Sequence, residues 1–201
     1  MGADLEQIAS YLGASMAVQR RVADSCARQI INASDAMAAA LKAGNKVLLC
    51  GNGGSAADCQ HMASELVSGL SPDAERPALA AIALTTDTSF LTAYANDHGF
   101  EGVFERQVEA QGRAGDVLVV ISTSGRSENV RRAVRAAKAK GIATVGVVGE
   151  GGPLAKEVGI AVVIPDRDTQ HVQEAMLPVE HLICSLVERA VFGHQKPRGG
   201  R

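Results

Sequence analysis

Five short apolar runs, at residues 47–50, 79–84, 117–121, 143–148 and 160–164, limit what this chain can become. Each run is bounded by turn residues, and the segments between them are long enough for crossover helices. That pattern predicts strands buried on both faces of a mostly parallel sheet, hence an α/β fold with five strands between layers of helix. Ahead of the first run, residues 3–43 read as helix, in one piece or in two broken near Gly13. Val18, Val22, Cys26, Ile30, Met37 and Leu41 form an apolar stripe along it, and Gly44-Asn45 ends it. The stripe can pack on the domain's own sheet, on a partner subunit, or on both. Residues 169–192 read as a closing helix. The expected organisation is an N-terminal helical segment over 1–44, one domain over 45–193, and a disordered tail over 194–201.

Two of the connections carry chemistry. After the first run, the turn Gly51-Asn52-Gly53-Gly54-Ser55 leads into a helix expected to open at Ser55. A glycine-rich turn at a helix start lets backbone N–H groups approach an anion, with the positive end of the helix dipole behind them. After the third run, Ser122-Thr123-Ser124-Gly125-Arg126-Ser127 offers four hydroxyls at a second helix start, with Arg126 as added charge. A strand order of 2-1-3-4-5 would bring both loops to the switch point where such sheets bind ligands. The first loop also fits GxGxxA, but the acidic residue a dinucleotide site needs about twenty residues on is missing, since the first acid after the second run is Asp87. The lysine of a triphosphate-binding loop is missing too. Two ordinary tight turns with serine caps are the structural alternative.

Composition narrows the partners. With a formal net charge of −2 and 3% aromatic residues, the chain has neither a basic footprint nor base-stacking platforms for nucleic acid. Cys26, Cys50, Cys59 and Cys184 form no CxxC pair and fall on segments expected to be buried, which favours reduced thiols and a cytoplasmic setting. No segment reads as a signal peptide or a membrane span.

His61 and Glu65, four residues apart on the first loop's helix, project from one face. They could be a solvated helix face, as His181 in the last helix could be a core histidine with its nitrogens satisfied.

The stretches Cys50-Gly-Asn-Gly-Gly-Ser-Ala-Ala-Asp-Cys-Gln-His61, Ser122-Thr-Ser-Gly-Arg-Ser127 and Gln173-Glu174 with His181 resemble the phosphoheptose isomerases. These form the sedoheptulose 7-phosphate branch of the sugar isomerase (SIS) domain proteins, which are flavodoxin-like. The likeness takes in Leu84-Thr-Thr-Asp-Thr88, Asn96-Asp97 and Asp168-Thr169, and extends from about residue 41 to 192. It implies an aldose–ketose isomerisation through an enediol, giving D-glycero-D-manno-heptose 7-phosphate for nucleotide-activated heptoses. It assigns Glu65 and His181 as the acid–base pair, with Glu65 expected at carbon and His181 at oxygen. Ser55, Ser122, Thr123, Ser124 and Ser127 fall around the phosphate. Asn52, Gly53, Gly54, Asn96, Asp97, Asp168, Thr169 and Gln173 join Glu65 in binding substrate. The resemblance further implies one zinc per subunit on His61, Glu65, Gln173 and His181, and a homotetramer with shared active sites. Gln173 and His181 lie roughly 12 Å apart along a straight helix, with Pro178 between them, so a bend or a second subunit is expected to complete that ligand set. Met176 and Gly69 depart from the family pattern, which often has histidine and a basic residue there. Two other readings stay open: a non-catalytic SIS protein that binds a replication initiator and lacks the carboxylate matching Glu65, and an isomerase or sensor of another phosphosugar.

Overall fold

The computed structural model describes residues 2–70 and 76–193, so the expected disordered tail lies outside the described residues. Strands β1 (Val47–Gly51), β2 (Ala81–Ala83), β3 (Val117–Ser122), β4 (Ala143–Gly149) and β5 (Ile160–Ile164) form one sheet in the order β2-β1-β3-β4-β5. Every pairing is parallel. The expected strand order is therefore found, and the sheet is wholly rather than mostly parallel. The second run shortens to three residues, and at its start the Leu79 N–H donates to the Leu66 carbonyl at the end of the preceding helix.

Helices α1 (Gly2–Ser25), α2 (Ala27–Lys42), α3 (Gly54–Ser68) and α8 (Thr169–Phe192) cover one face. Helices α4 (Thr88–His98), α5 (Val103–Gln111), α6 (Glu128–Ala139) and the single turn α7 (Leu154–Glu157) cover the other. Alternation along the central strands divides the core. Leu49, Val119 and Ile121 face α3 and α8, while Leu48, Cys50, Leu118 and Val120 face α5 and α6. Both faces of β1 and β3 are thus filled, as their unbroken apolar runs require.

The N-terminal helix breaks at Cys26 and not near Gly13. Helix α1 passes through Gly13, where a glycine costs only about 1 kcal/mol against alanine. At the true break the Ser25 hydroxyl donates to the Arg21 carbonyl at 2.7 Å, a competing bond of the kind that bends helices. The Cys26 thiol donates to the Val163 carbonyl of β5 at 3.2 Å and pins the bend on the sheet. Val18, Val22, Cys26, Ile30 and Met37 are buried in the core shared with α8 and the sheet, so the stripe packs within its own subunit. A second α1 stripe, Leu5, Ile8, Leu12 and Met16, is more than half exposed.

Candidate active site

The site begins where β1 and β3 end side by side, in a register that sets Gly51 opposite Ile121. A Cβ on Gly51 would come within 2.8 Å of the Ile121 carbonyl and of the Ser55 carbonyl, so only glycine lets the first loop lie so close to β3. Gly53 then turns with φ +56° and leads into α3, which opens at Gly54, one residue before the expected start. No side chain caps that helix; the Ala56 and Ala57 N–H groups bond the Gly53 carbonyl, which leaves those of Gly54 and Ser55 for a ligand beside the buried Ser55 side chain.

In the second loop the Ser122 hydroxyl oxygen accepts the Gly125 N–H at 3.1 Å, and that of Ser124 accepts the Arg126 N–H at 3.3 Å. Each hydroxyl keeps its own proton to donate. Ser127 stands at the start of α6 without a side-chain cap bond. Thr123, Ser124 and Arg126 meet Glu150, Gly151, Arg167 and Thr169 around a polar cavity of about 210 Å³. The second loop, the segment after β4 and the start of α8 are thereby brought together. Asp168 caps α8, its Oδ1 accepting the Gln170 and His171 N–H groups at 2.9 and 3.1 Å. Its side chain fixes where Thr169 sits.

Helices α3 and α8 lie side by side with their contacts advancing together. Gln173 donates to Asp58 at 3.2 Å, His61 meets His181, the Cys184 thiol lies near the Met62 carbonyl, and Glu188 accepts the Leu70 N–H at 3.2 Å. The helices are therefore parallel. Gln173 serves the loop end, where it lies over Gly54, and His181 serves the Glu65 end. The Nε2 atoms of His61 and His181 are 2.8 Å apart, so one ring donates and the other accepts. Glu65 Oε1 stands 4.0 Å from the same His61 Nε2, and Glu65 Oε2 is buried with no hydrogen-bond partner. A buried carboxylate oxygen without a partner is costly, and beside two imidazoles it is placed to take a proton or a cation.

Among the described residues no three His, Cys, Asp or Glu side chains already form a metal-holding group. The nitrogen and oxygen donors of His61, His181 and Glu65 are nevertheless those zinc takes, and the orphaned Oε2 gives the carboxylate an open valence toward it. Gln173 is turned to Asp58 instead. Burial holds the Asp58 carboxyl above its ordinary range, against the opposing pull of Gln173 and His61.

Asn96 and Asp97 are exposed on α4, where the Asn96 amide donates to Asp97 at 2.8 Å. Nothing in the described chain joins them to the loops. Met176 is fully buried in the core. The space a side chain at Gly69 would reach is approached by the Arg76 guanidinium at 3.8 Å. Arg76 donates to the Glu65 carbonyl at 2.7 Å and pairs with Glu188 at 2.6 Å. Sequence reasoning missed Arg76, Asp58 and Asn129. Asp58 had a signal, since 58, 61 and 65 recur at helical spacing on one face.

A sequence model of the SIS domain matches residues 10–149. The phosphoheptose isomerase of Roseiflexus sp. (strain RS-1) is 49% identical over 180 residues, which cover 89% of this chain and 90% of that protein. The chain belongs to the phosphoheptose isomerase family. A second phosphoheptose isomerase, from Burkholderia pseudomallei (strain K96243), is 48% identical over 90% of this chain and 85% of its own length. The solved phosphoheptose isomerase of Neisseria gonorrhoeae superposes with a TM-score of 0.86 at 39% identity, covering 92% of this chain and 98% of that one. The parallel five-stranded sheet between helix layers is thus that of the phosphoheptose isomerases.

Proposed function

We propose that the chain interconverts sedoheptulose 7-phosphate and D-glycero-D-manno-heptose 7-phosphate. The observation that carries this reading is the partnerless, buried Oε2 of Glu65 beside the His61–His181 pair, at the opposite end of α3 from a glycine- and serine-rich anion cradle. Moving a carbonyl from C2 to C1 needs one group to carry a proton between carbons and another to serve the oxygens. Glu65 takes the carbon-bound proton, and the enediol forms as His181 donates to the carbonyl oxygen. Return of the proton to the neighbouring carbon gives the aldose. Side chains on a helix lean toward its N-terminus, so Glu65 is inclined to the cradle that holds the far phosphate. Ser55, Thr123, Ser124 and Ser127 hydroxyls and the free N–H groups of α3 and α6 hold that phosphate and so fix the reacting carbons. Asn52, Asp168, Thr169 and Gln173 border the sugar.

Zinc held by His61, Glu65 and His181, with Gln173 swung from Asp58, would tie α3 to α8 and engage both acid–base groups, a structural or inhibitory role. Asn96 and Asp97, exposed on α4, would serve a site across a subunit boundary. That supports a homotetramer, as does the exposed stripe Leu5, Ile8, Leu12 and Met16 beside an apolar groove of about 460 Å³ between α1, α2 and α8. Four free, buried cysteines favour a reducing, cytoplasmic setting, and among the described residues no helix is long and apolar enough to cross a membrane. Purified protein given sedoheptulose 7-phosphate, beside five- and six-carbon phosphosugars, tests the reading by sugar NMR. Turnover of the seven-carbon sugar above the others supports it, and preference for a shorter sugar overturns the substrate.

A further inference from the structure

We propose that Asn129 is a positioning residue: it sets the orientation of the Asn52 amide and the spacing between the two phosphate loops. This rests on the proposed phosphosugar site. Past the ends of β1 and β3 there is no ladder to hold the loops in register. Among the described residues, the two hydrogen bonds that join them are both made by one pair of amides. Asn52 Nδ2 donates to Asn129 Oδ1 at 2.9 Å, and Asn129 Nδ2 donates back to Asn52 Oδ1 at 2.9 Å. Asn129 is buried at the first turn of α6, directly behind Ser127.

A third bond gives the pair its sense. Asn129 Oδ1 also accepts the Val130 N–H at 2.9 Å. An amide rotated end for end would turn an N–H toward that backbone donor, so Asn129 has one orientation. Asn52 must then turn its Nδ2 toward Asn129 Oδ1, and its own orientation follows. The pairing uses one N–H and one lone pair of Asn52, leaving one of each for a sugar hydroxyl. The backbone of α6 thus dictates, through Asn129, which end of the Asn52 amide meets the substrate. A reciprocal two-bond amide pair also allows little play, so the Ser55 side and the Ser124–Ser127 side of the cradle keep the separation one phosphate group needs.

The test is a cycle of Asn129→Ala, Asn52→Ala and the double variant, with steady-state kinetics on sedoheptulose 7-phosphate and calorimetry with inorganic phosphate. Asn129→Ala is expected to raise KM and the dissociation constant of phosphate about tenfold, equivalent to about 1.4 kcal/mol, with kcat within twofold. The double variant is expected to match Asn52→Ala, because Asn129 acts through Asn52. A wild-type KM and phosphate affinity in Asn129→Ala, or effects that multiply in the double variant, overturn the proposal. Should Asn129→Ala not fold, the unsubstituted protein decides: slow solvent exchange of both side-chain amide groups by NMR supports the pair, and fast exchange overturns it. If the wild type binds phosphate but leaves sedoheptulose 7-phosphate unchanged, the substrate assignment fails while the phosphate arm still decides the role of Asn129.

Discussion

Glu180 gives the most quantitative prediction. It lies on α8, 1% exposed, with neither carboxyl oxygen hydrogen-bonded. Burial, with Asp58 across on α3 adding repulsion, pushes its pKa from 4.5 up to about 8. The nearby Cys59 and Cys184 thiols are themselves pushed up by burial and stay neutral. Between pH 4.5 and 8 the folded chain therefore holds a proton the unfolded chain has released, so stability falls as pH rises through that window. At 1.36 kcal/mol per unit the full loss is about 5 kcal/mol, of which about 2 kcal/mol falls between pH 6 and 8. Glu180→Gln keeps the shape and the neutral, unbonded character of the protonated acid but cannot ionise. Urea unfolding of both proteins at pH 6 and 8, at one fixed protein concentration, reads the difference. The variant is expected to gain about 2 kcal/mol on the wild type from the lower to the higher pH. Parallel pH profiles would refute the reasoning, because they would mean that Glu180 is ionised or paired in the folded protein.

Further expectations follow from single contacts. Arg76, 1% exposed, pairs with Glu188, so Arg76→Met should cost about 3–5 kcal/mol in denaturant unfolding by stranding a buried charge. Removing both charges in Arg76→Met with Glu188→Leu should cost less than either single change, and an equal or larger loss would count against the pair. A Cβ at Gly149 would lie 2.1 Å from the Thr123 carbonyl, so Gly149→Ala should displace the second loop, cost about 1–3 kcal/mol and raise KM. The same change at Gly54 meets only the movable end of Gln173 and should be milder, so equal effects would contradict the geometry. Zinc on Glu65 and His181 would occupy the lone pairs that proton transfer uses, so chelator-treated protein should keep its turnover. Loss of activity restored only by zinc would overturn that view.

The sheet was legible in the sequence because each of its strands is an apolar run closed by turn residues, and the crossover segments fix parallel neighbours. The break in the N-terminal helix was not, because it depends on a serine hydroxyl competing for the Arg21 carbonyl and a cysteine reaching β5, neither of which leaves a period. The loops at Gly51 and Ser122 announced themselves through residue types that few other structures need. His61 and His181, 120 residues apart, could be joined only by family resemblance, since helical spacing says nothing of which helices run parallel. Asn129 and Arg76 act through contacts set by the whole fold, and their residue types are common on any surface.

The central claim is that Glu65 and His181 carry an aldose–ketose isomerisation. Its most direct test follows sedoheptulose 7-phosphate by NMR with the wild type, Glu65→Gln and His181→Gln, each checked for folding and for phosphosugar binding. Turnover by the wild type, with a loss of at least about a hundredfold in both variants while binding persists, is the expected result. Turnover in either variant at the wild-type rate, or a wild type that binds the sugar and leaves it unchanged, would contradict the account.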